Sequence, residues 1–270
     1  PLFLRNTPAV SRPPLTTREL EVLVLVLARK GVNEMMSTVT VFYFFSAVDM
    51  AARRTVARTT ARMSSSSSSS SGAGAHLDTH VRGSDARVTA KSAERNAEPI
   101  WAVLERVLPP AHTGAPLLLE IASGCGLHAS LFGARRPDIV YQPTEYSAEL
   151  LPSIAAWSKE ISSVRPPVIL DVAARPWSAS NGLADIVPGA LDIVLNVNMV
   201  HISPFTVCEG LFAGAGETLK AGGAMVMYGP FVVDGVETAA SNLTFDATLR
   251  ERDASWGLRS VETELKPLAD

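Results

Sequence analysis

Four short stretches hold side chains that could do chemistry together. The first is Leu117-Leu-Leu-Glu120-Ile-Ala122-Ser-Gly124-Cys-Gly126-Leu-His128, an apolar strand ending on a carboxylate, then a glycine turn, then helix-like sequence. Glycine lets the backbone turn sharply and lets a ligand approach where a Cβ would stand in the way. The following helix aims its free N–H groups at whatever is bound. Glu145, 25 residues beyond Glu120, follows the next apolar run. A carboxylate there can accept both hydroxyls of a ribose, or it is a solvated loop acid. Asp171 follows a third run and can take an adenine amino group while Val172 lines the ring; the alternative is a helix-capping role. The fourth stretch, Asn196-Val-Asn198-Met-Val-His201-Ile-Ser-Pro204, offers two amides and an imidazole. His201 is either a general base, starting from a pKa near ~6.5, or a packed histidine that orients its loop.

These groups need a scaffold that gathers the ends of separate strands. Apolar runs at Leu117–Ile121, Ile139–Gln142, Val168–Val172, Leu191–Val197 and Ala224–Tyr228 read as five strands. Helical sequence separates them, at Leu127–Arg135, at Ser147–Ile161 with its start delayed by Pro152, and from Ser203-Pro204 to Leu219. Asn96 is placed to cap a first helix, with Pro99 in its first turn and apolar residues recurring from Ile100 to Leu108. Continuous apolar strands alternating with helices predict a parallel sheet covered on both faces, whose ligands sit outside the C-terminal strand ends.

Composition sets the outer bounds. At 47% hydrophobic and 19% charged, 270 residues suit a folded domain with a sizeable core. The two cysteines, Cys125 and Cys208, have no metal-type spacing, and a reduced compartment is the simplest setting for them. Residues 1–90 carry 11 Lys/Arg against 6 Asp/Glu, net +5; residues 91–270 carry 13 against 21, net −8. An acidic working part argues against binding a nucleic-acid backbone. The apolar runs Leu20–Ala28 and Val39–Val48 are too short to span a bilayer. Residues 50–75 are rich in arginine and serine and free of acids, with the tract Ser64–Ser71. That is transit-peptide composition, or else a low-complexity leader. Residues 1–87 are therefore expected to be a disordered leader and 88–270 the working domain. The expected location is cytoplasmic, or an organelle if the leader directs it there.

The glycine turn reads acidic-x-Ala-x-Gly-x-Gly, close to the acidic-x-Gly-x-Gly-x-Gly motif of S-adenosylmethionine methyltransferases. The dinucleotide pattern would need a third glycine where Ala129 stands. Several further runs come in one order: Ala93-Glu-Arg-Asn-Ala-Glu-Pro-Ile100, Gln142-Pro-Thr-Glu145, Ser153-Ile-Ala-Ala-Trp157, Leu170-Asp-Val172, Asn198-Met-Val-His-Ile-Ser-Pro204, Glu209-Gly-Leu-Phe-Ala-Gly-Ala-Gly216, Tyr228-Gly-Pro-Phe231 and Ser241-Asn-Leu-Thr-Phe-Asp246. With these, residues 88–262 resemble the methyltransferase-like protein 26 family, a methyltransferase-like group whose function is unassigned.

The resemblance implies a Rossmann-like class I methyltransferase sheet and a S-adenosyl-L-methionine site. Glu120, Ala122, Gly124, Gly126, Glu145, Asp171 and Val172 would line that site, with Arg95 and Asn96 folding over it as a lid. Asn198 and His201 would face a small-molecule acceptor, with no nucleic acid or membrane as partner. Three features depart from the family: Ala122 replaces a glycine, Glu145 replaces an aspartate, and the chain stops at Asp270 where a helix and two strands would follow. The sheet is thus expected to lack its last two strands. Two other readings stand beside this one: a non-catalytic cofactor- or partner-binding module on the same fold, and a nicotinamide-dependent oxidoreductase, which the glycine spacing disfavours.

Overall fold

A computed structural model of the chain describes residues 22–29, 36–44, 81–82, 85–111 and 113–269. Strands β1 (Val22–Arg29) and β2 (Met36–Phe44) come first, followed by the two-residue strands β3 (Val81–Arg82) and β4 (Val88–Thr89). Helix α1 (Lys91–Val107) then leads into β5 (Leu117–Ile121), α2 (Leu127–Arg135), β6 (Val140–Glu145), α3 (Leu151–Ser158) and β7 (Val168–Ile169). After them come β8 (Leu191–Val197), α4 (Phe205–Thr218), β9 (Leu219–Gly229), β10 (Phe231–Val232), α5 (Ala240–Arg252), β11 (Arg259–Ser260) and α6 (Lys266–Ala269). Among the described residues no helix is long and apolar enough to cross a membrane.

Five of these strands, in the order β9-β8-β5-β6-β7, run parallel. Their side chains alternate between two apolar layers, so both faces are covered. Leu118, Ile193, Leu195 and Val226 pack with Ile100 and Leu104 of α1 and Phe132 of α2. Leu119, Ile121, Val194, Met225 and Met227 pack with Leu211, Phe212 and Ala215 of α4 and with Trp177. The chain winds outward from β5 to β7, then returns to β8 on the other side of β5. The switch point therefore lies between β5 and β8, beside the glycine turn.

The doubly wound sheet is the one the sequence predicts, with three corrections. Among the described residues the sheet has seven strands: β1 runs antiparallel along β9 from Leu23↔Gly229 to Ala28↔Ala224, and β2 runs antiparallel to β1. Two pieces of the expected leader thus occupy the edge that was expected to lack strands; most of residues 1–87 lies outside the described residues. Asn96 does not cap α1, which starts at Lys91 with Ala90 at its N-cap, so Pro99 lies within the helix. The Asn96 side chain is buried and accepts the Tyr228 hydroxyl at 2.8 Å, a tertiary bond that replaces the local one. Ser203 likewise does not cap α4. Pro204 stands at its N-cap, and the Ser203 hydroxyl donates to the Met199 carbonyl.

Candidate functional site

The glycine turn is held in left-handed backbone. Ala122 has φ 58°, Gly124 φ 57° and Gly126 φ 92°. Alanine tolerates this region at a cost of about 1 kcal/mol relative to glycine, which explains why glycine is the usual residue at position 122. The two glycines do different work. A Cβ on Gly126 would lie 2.6 Å from the Ile154 Cα, so this glycine lets α3 pack against the turn. A Cβ on Gly124 would meet nothing within 4 Å, which leaves open room above the turn.

Glu145, at the end of β6, wraps its carboxylate around that turn. Oε2 accepts the Gly124 N–H at 2.8 Å, and Oε1 accepts the N–H groups of Tyr146 and Ser147 at 2.9 and 3.3 Å. It therefore stands beside the turn, as the ribose reading requires, and it also braces the turn. Tyr146 follows it and is 72% exposed, and Ile169, paired with Glu145 across β6 and β7, is 43% exposed. An exposed aromatic next to the strand-end carboxylate and an exposed isoleucine paired with it offer apolar surface for a platform under a base. The sequence signal for it was the aromatic directly after the acid in Thr144-Glu-Tyr146, which went unused.

Asp171 is exposed, and its Oδ1 accepts the Ala173 N–H at 3.0 Å, so its side chain closes a local turn. Val172 is buried in the core beside Trp177, whose indole N–H donates to the Val172 carbonyl. Its side chain is accordingly spent on packing. In α1, Arg95 is exposed while Asn96 is buried against Tyr228, so the two expected lid residues separate.

Glu120 sits under the turn, 1% exposed, and burial raises its pKa to about 7. The Ser123 hydroxyl and the Tyr141 phenol face its carboxyl, and Glu145 adds a second negative charge. Both Glu120 oxygens, the Ser123 hydroxyl and the Tyr141 hydroxyl are buried without a close hydrogen-bond partner. Four unsatisfied polar atoms in one spot are costly unless something fills them. Together with the room over Gly124, they fit a nucleoside-type ligand carrying positive charge.

The second part of the site lies where β8 and β9 end. Asn196 is buried and donates to the Ile121 carbonyl at 3.2 Å, tying the β8 end to the glycine turn. Asn198 has φ 55°, a left-handed position that asparagine tolerates, and its N–H donates to the Tyr228 carbonyl. Gly229 brings the two expected reactive residues together. A Cβ there would lie 3.5 Å from His201 Nδ1 and 3.8 Å from Asn198 Oδ1. The His201 ring is 4% exposed and edge-on to Phe245, with Nδ1 buried and unpartnered. Burial, helped by the positive charge of Arg259, lowers its pKa to about 4, so the ring is neutral at physiological pH.

Arg259 was not singled out in the sequence because two of the carbonyls it holds, those of Val200 and Ser203, are far away along the chain. It is buried and donates to the carbonyls of Val200, Ser203 and Ser255 at 3.1, 2.7 and 2.8 Å. It also lies over the Phe205 ring and 3.6 Å from Glu264. One guanidinium thus clamps the loop that carries His201 from both sides.

Several solved structures with similar folds are methyltransferases. An O-methyltransferase family 2 protein from Planctomyces limnophilus, in complex with apigenin, shares 18% identity at a TM-score of 0.50, over 66% of this chain and 51% of its own. The Streptomyces coelicolor geranyl diphosphate C-methyltransferase, in complex with S-adenosyl-L-homocysteine, shares 13% at 0.49, over 64% and 58%. The Haemonchus contortus phosphoethanolamine N-methyltransferase 2, in complex with S-adenosyl-L-methionine, shares 15% at 0.46, over 63% and 36%. The chain thus spans between about a third and three fifths of these proteins. At such identity the likeness shows a methyltransferase-like fold alone. The sequence itself is matched over residues 87–270 by a family described as "Protein of unknown function (DUF938)", and the chain belongs to that family.

Proposed function

We propose that this chain is an S-adenosyl-L-methionine-dependent methyltransferase of a small-molecule acceptor, akin to the methyltransferase-like protein 26 family. The observation that carries the reading is the left-handed turn at the switch point, open above Gly124 and backed by a buried acid with empty hydrogen-bonding capacity. S-adenosyl-L-methionine, when bound, supplies an electrophilic methyl group on a sulfonium.

The chain's own residues divide the remaining work. Ala122, Gly124 and Gly126 form the cradle, and Glu120 meets the positive charge of the amino-acid portion. Glu145 accepts the ribose hydroxyls, giving up one of its N–H partners in exchange. Tyr146 and Ile169 flank the base, with Asp171 near its amino group. Arg95, exposed on α1, meets the carboxylate. On the acceptor side, Asn198 Oδ1 and His201 Nδ1 offer two acceptors to the proton-bearing nucleophile. Fixing donor, methyl and nucleophile in line is the main source of rate, and transfer of the nucleophile's proton to Nδ1 adds general-base help.

A second reading, a non-catalytic module that binds the same cofactor, is favoured by one observation. Burial and Arg259 make His201 a weak base. Calorimetric titration with S-adenosyl-L-methionine and with NAD tests the first step, with binding of the former alone expected. Binding of NAD instead, or of neither, overturns the cofactor assignment. His201→Gln and Asn198→Ala should then keep cofactor affinity and lose methyl transfer to small molecules; binding without transfer in the parent chain leaves the second reading.

A further inference from the structure

The run Ser153-Ile-Ala-Ala-Trp157 puts two polar side chains four residues apart, hence on one face of α3. Both close on one residue, Val88 of β4. The Ser153 hydroxyl oxygen accepts the Val88 N–H at 2.8 Å, and the Trp157 indole N–H donates to the Val88 carbonyl at 2.8 Å. Val88 is thereby held by both of its backbone groups, and its side chain is buried with Ala90, Ala93, Cys125 and Leu127. Arg87 lies over the Trp157 ring. A little further on, the Ala93 carbonyl oxygen of α1 is 3.1 Å from His128 Nε2, which leaves Nδ1 towards Glu120, 3.8 Å from Oε1.

The same Ser153 hydroxyl donates to the Cys125 carbonyl, in the middle of the glycine turn, at 2.7 Å. The ends of this chain of bonds fix its direction. A backbone N–H only donates and a carbonyl only accepts, so the single hydroxyl hydrogen is committed to Cys125. Ser153 is 1% exposed, which keeps water from competing for either bond, and each bond polarises the other. The start of the turn is held from β6, where the Thr144 carbonyl accepts the Ser123 N–H at 2.8 Å and Glu145 takes the Gly124 N–H. Ser153 holds a later peptide, the one between Cys125 and Gly126, whose N–H closes the turn on the Ser123 carbonyl at 3.1 Å. Rotation of that peptide would change the left-handed φ of Gly126.

We propose that Ser153 is a positioning residue for the cofactor turn, and that through it the docking of Val88 on α3 and the binding of cofactor at the turn favour each other. The docking stands on the bonds themselves; the ligand rests on the S-adenosyl-L-methionine reading. Ser153 acts through the turn and takes no part in the chemistry. It keeps the Cys125–Gly126 peptide in the plane that the left-handed turn needs, and Val88 keeps the hydroxyl aimed at that peptide. Once Val88 leaves, the serine hydroxyl can turn to its own backbone instead, and the turn loses a bond. By linkage, a ligand that needs the formed turn holds Val88 in place by the same factor by which docked Val88 strengthens the ligand. The segment leading into α1 therefore acts on the cofactor site at one remove.

The test uses the full chain and S-adenosyl-L-methionine. By calorimetry, Ser153→Ala should weaken binding about three- to tenfold, the span of one buried hydrogen bond. Trp157→Phe loosens Val88 and leaves the bond to Cys125 in place. It should weaken binding to the parent about two- to threefold and have no further effect in Ser153→Ala. In hydrogen exchange of the parent, saturating cofactor should slow the Val88 amide by the factor that Ser153→Ala loses in affinity. The Ser255 amide, bonded within its own turn to Asp253, should not change. A merely structural serine would lower Tm and leave both affinity and Val88 exchange where they were. Unchanged affinity in Ser153→Ala, effects of the two substitutions that multiply, or a Val88 amide indifferent to cofactor overturns the proposal. If Ser153→Ala does not fold, Trp157→Phe with parent affinity or an indifferent Val88 amide still overturns it. If S-adenosyl-L-methionine gives no heat with the parent, the cofactor assignment falls and takes the coupling with it; equal binding to parent and Ser153→Ala sinks the coupling alone.

Discussion

Gly124 and Gly126 stand two residues apart in the same turn, yet alanine should hurt them in different ways. At Gly126 the new Cβ would lie 2.6 Å from the Ile154 Cα and 3.1 Å from its Cβ, with φ at 92°. Left-handed strain of ~1–2 kcal/mol adds to overpacking of ~1–3 kcal/mol against backbone that cannot swing aside. Gly126→Ala should therefore lose about 3 kcal/mol, or roughly 10 °C in Tm for a domain of this size. At Gly124 the methyl meets no atom within 4 Å and φ is 57°. Strain alone remains, and it is offset in part by about 0.4–1 kcal/mol from the stiffer unfolded chain. Gly124→Ala should stay within ~1 kcal/mol of the parent in urea unfolding. Its methyl would stand in the room left for the cofactor, so S-adenosyl-L-methionine affinity should fall at least about tenfold, or ~1.4 kcal/mol. Equal loss of stability in the two variants, or unchanged affinity in Gly124→Ala, would refute the division of roles.

Four other outcomes follow from the same geometry. Glu145→Ala strands three N–H groups of the turn, so it should cost about 3 kcal/mol in urea unfolding as well as cofactor affinity; a purely solvated acid would cost neither. Tyr146→Ala should leave Tm unchanged, since the ring is mostly exposed, but weaken cofactor binding by about 1 kcal/mol, and unchanged affinity in calorimetry would remove the platform. His201 has a folded pKa of about 4, below its unfolded value, so its contribution is full above about pH 6.5 and is lost as pH falls through 4. Between pH 7 and 4 the parent should lose roughly 3 kcal/mol more than His201→Gln, and parallel denaturation curves would contradict this. Arg259→Met should free the Val200 and Ser203 carbonyls, destabilise the chain by about 3 kcal/mol, and raise the His201 pKa as read by proton NMR; an unmoved His201 titration would show that the clamp does not act on the ring.

Glu120 adds a titration of the opposite sign. Its pKa is raised to about 7, so its stabilising contribution is full below about pH 4.5 and is lost as pH rises through 7. Glu120→Gln should therefore remove a loss of stability between about pH 4.5 and 7, where His201→Gln removes a gain over nearly the same range.

The elements were legible where local rules decide them. Buried parallel strands are continuous apolar runs, and the left-handed turn needs glycine, so β5, β8 and the Gly124–Gly126 turn could be read directly. The paired groups were not, because they are made by contacts between distant residues. Asn96 looks like a cap until Tyr228 arrives from 132 positions further on, and Arg259 finds Val200 from 59 away. His128 stood at the end of the motif as read, but only the Ala93 carbonyl fixes which nitrogen faces Glu120. The runs in β1 and β2 were read as leader because they are too short for a membrane and far from the motifs. The strand that β1 joins, β9, lies about two hundred residues away, and β2 follows through its pairing with β1.

The strand order β9-β8-β5-β6-β7 has a consequence for how this scaffold can change. Glu120, Glu145, Tyr146 and Asp171 all belong to the half wound outward from β5 to β7. Asn198, His201 and Arg259 all belong to the half that starts at β8. On the methyltransferase reading proposed above, recognition of the donor and choice of acceptor would therefore be inherited as separable blocks of sequence. On that reading, drift or grafting within residues 198–203 and 230–259 would rewrite what is modified while the donor half stays as it is. The bonds from Asn96 to Tyr228 and from Asn196 to Ile121 cross between the blocks, and a graft that breaks either one disturbs both halves.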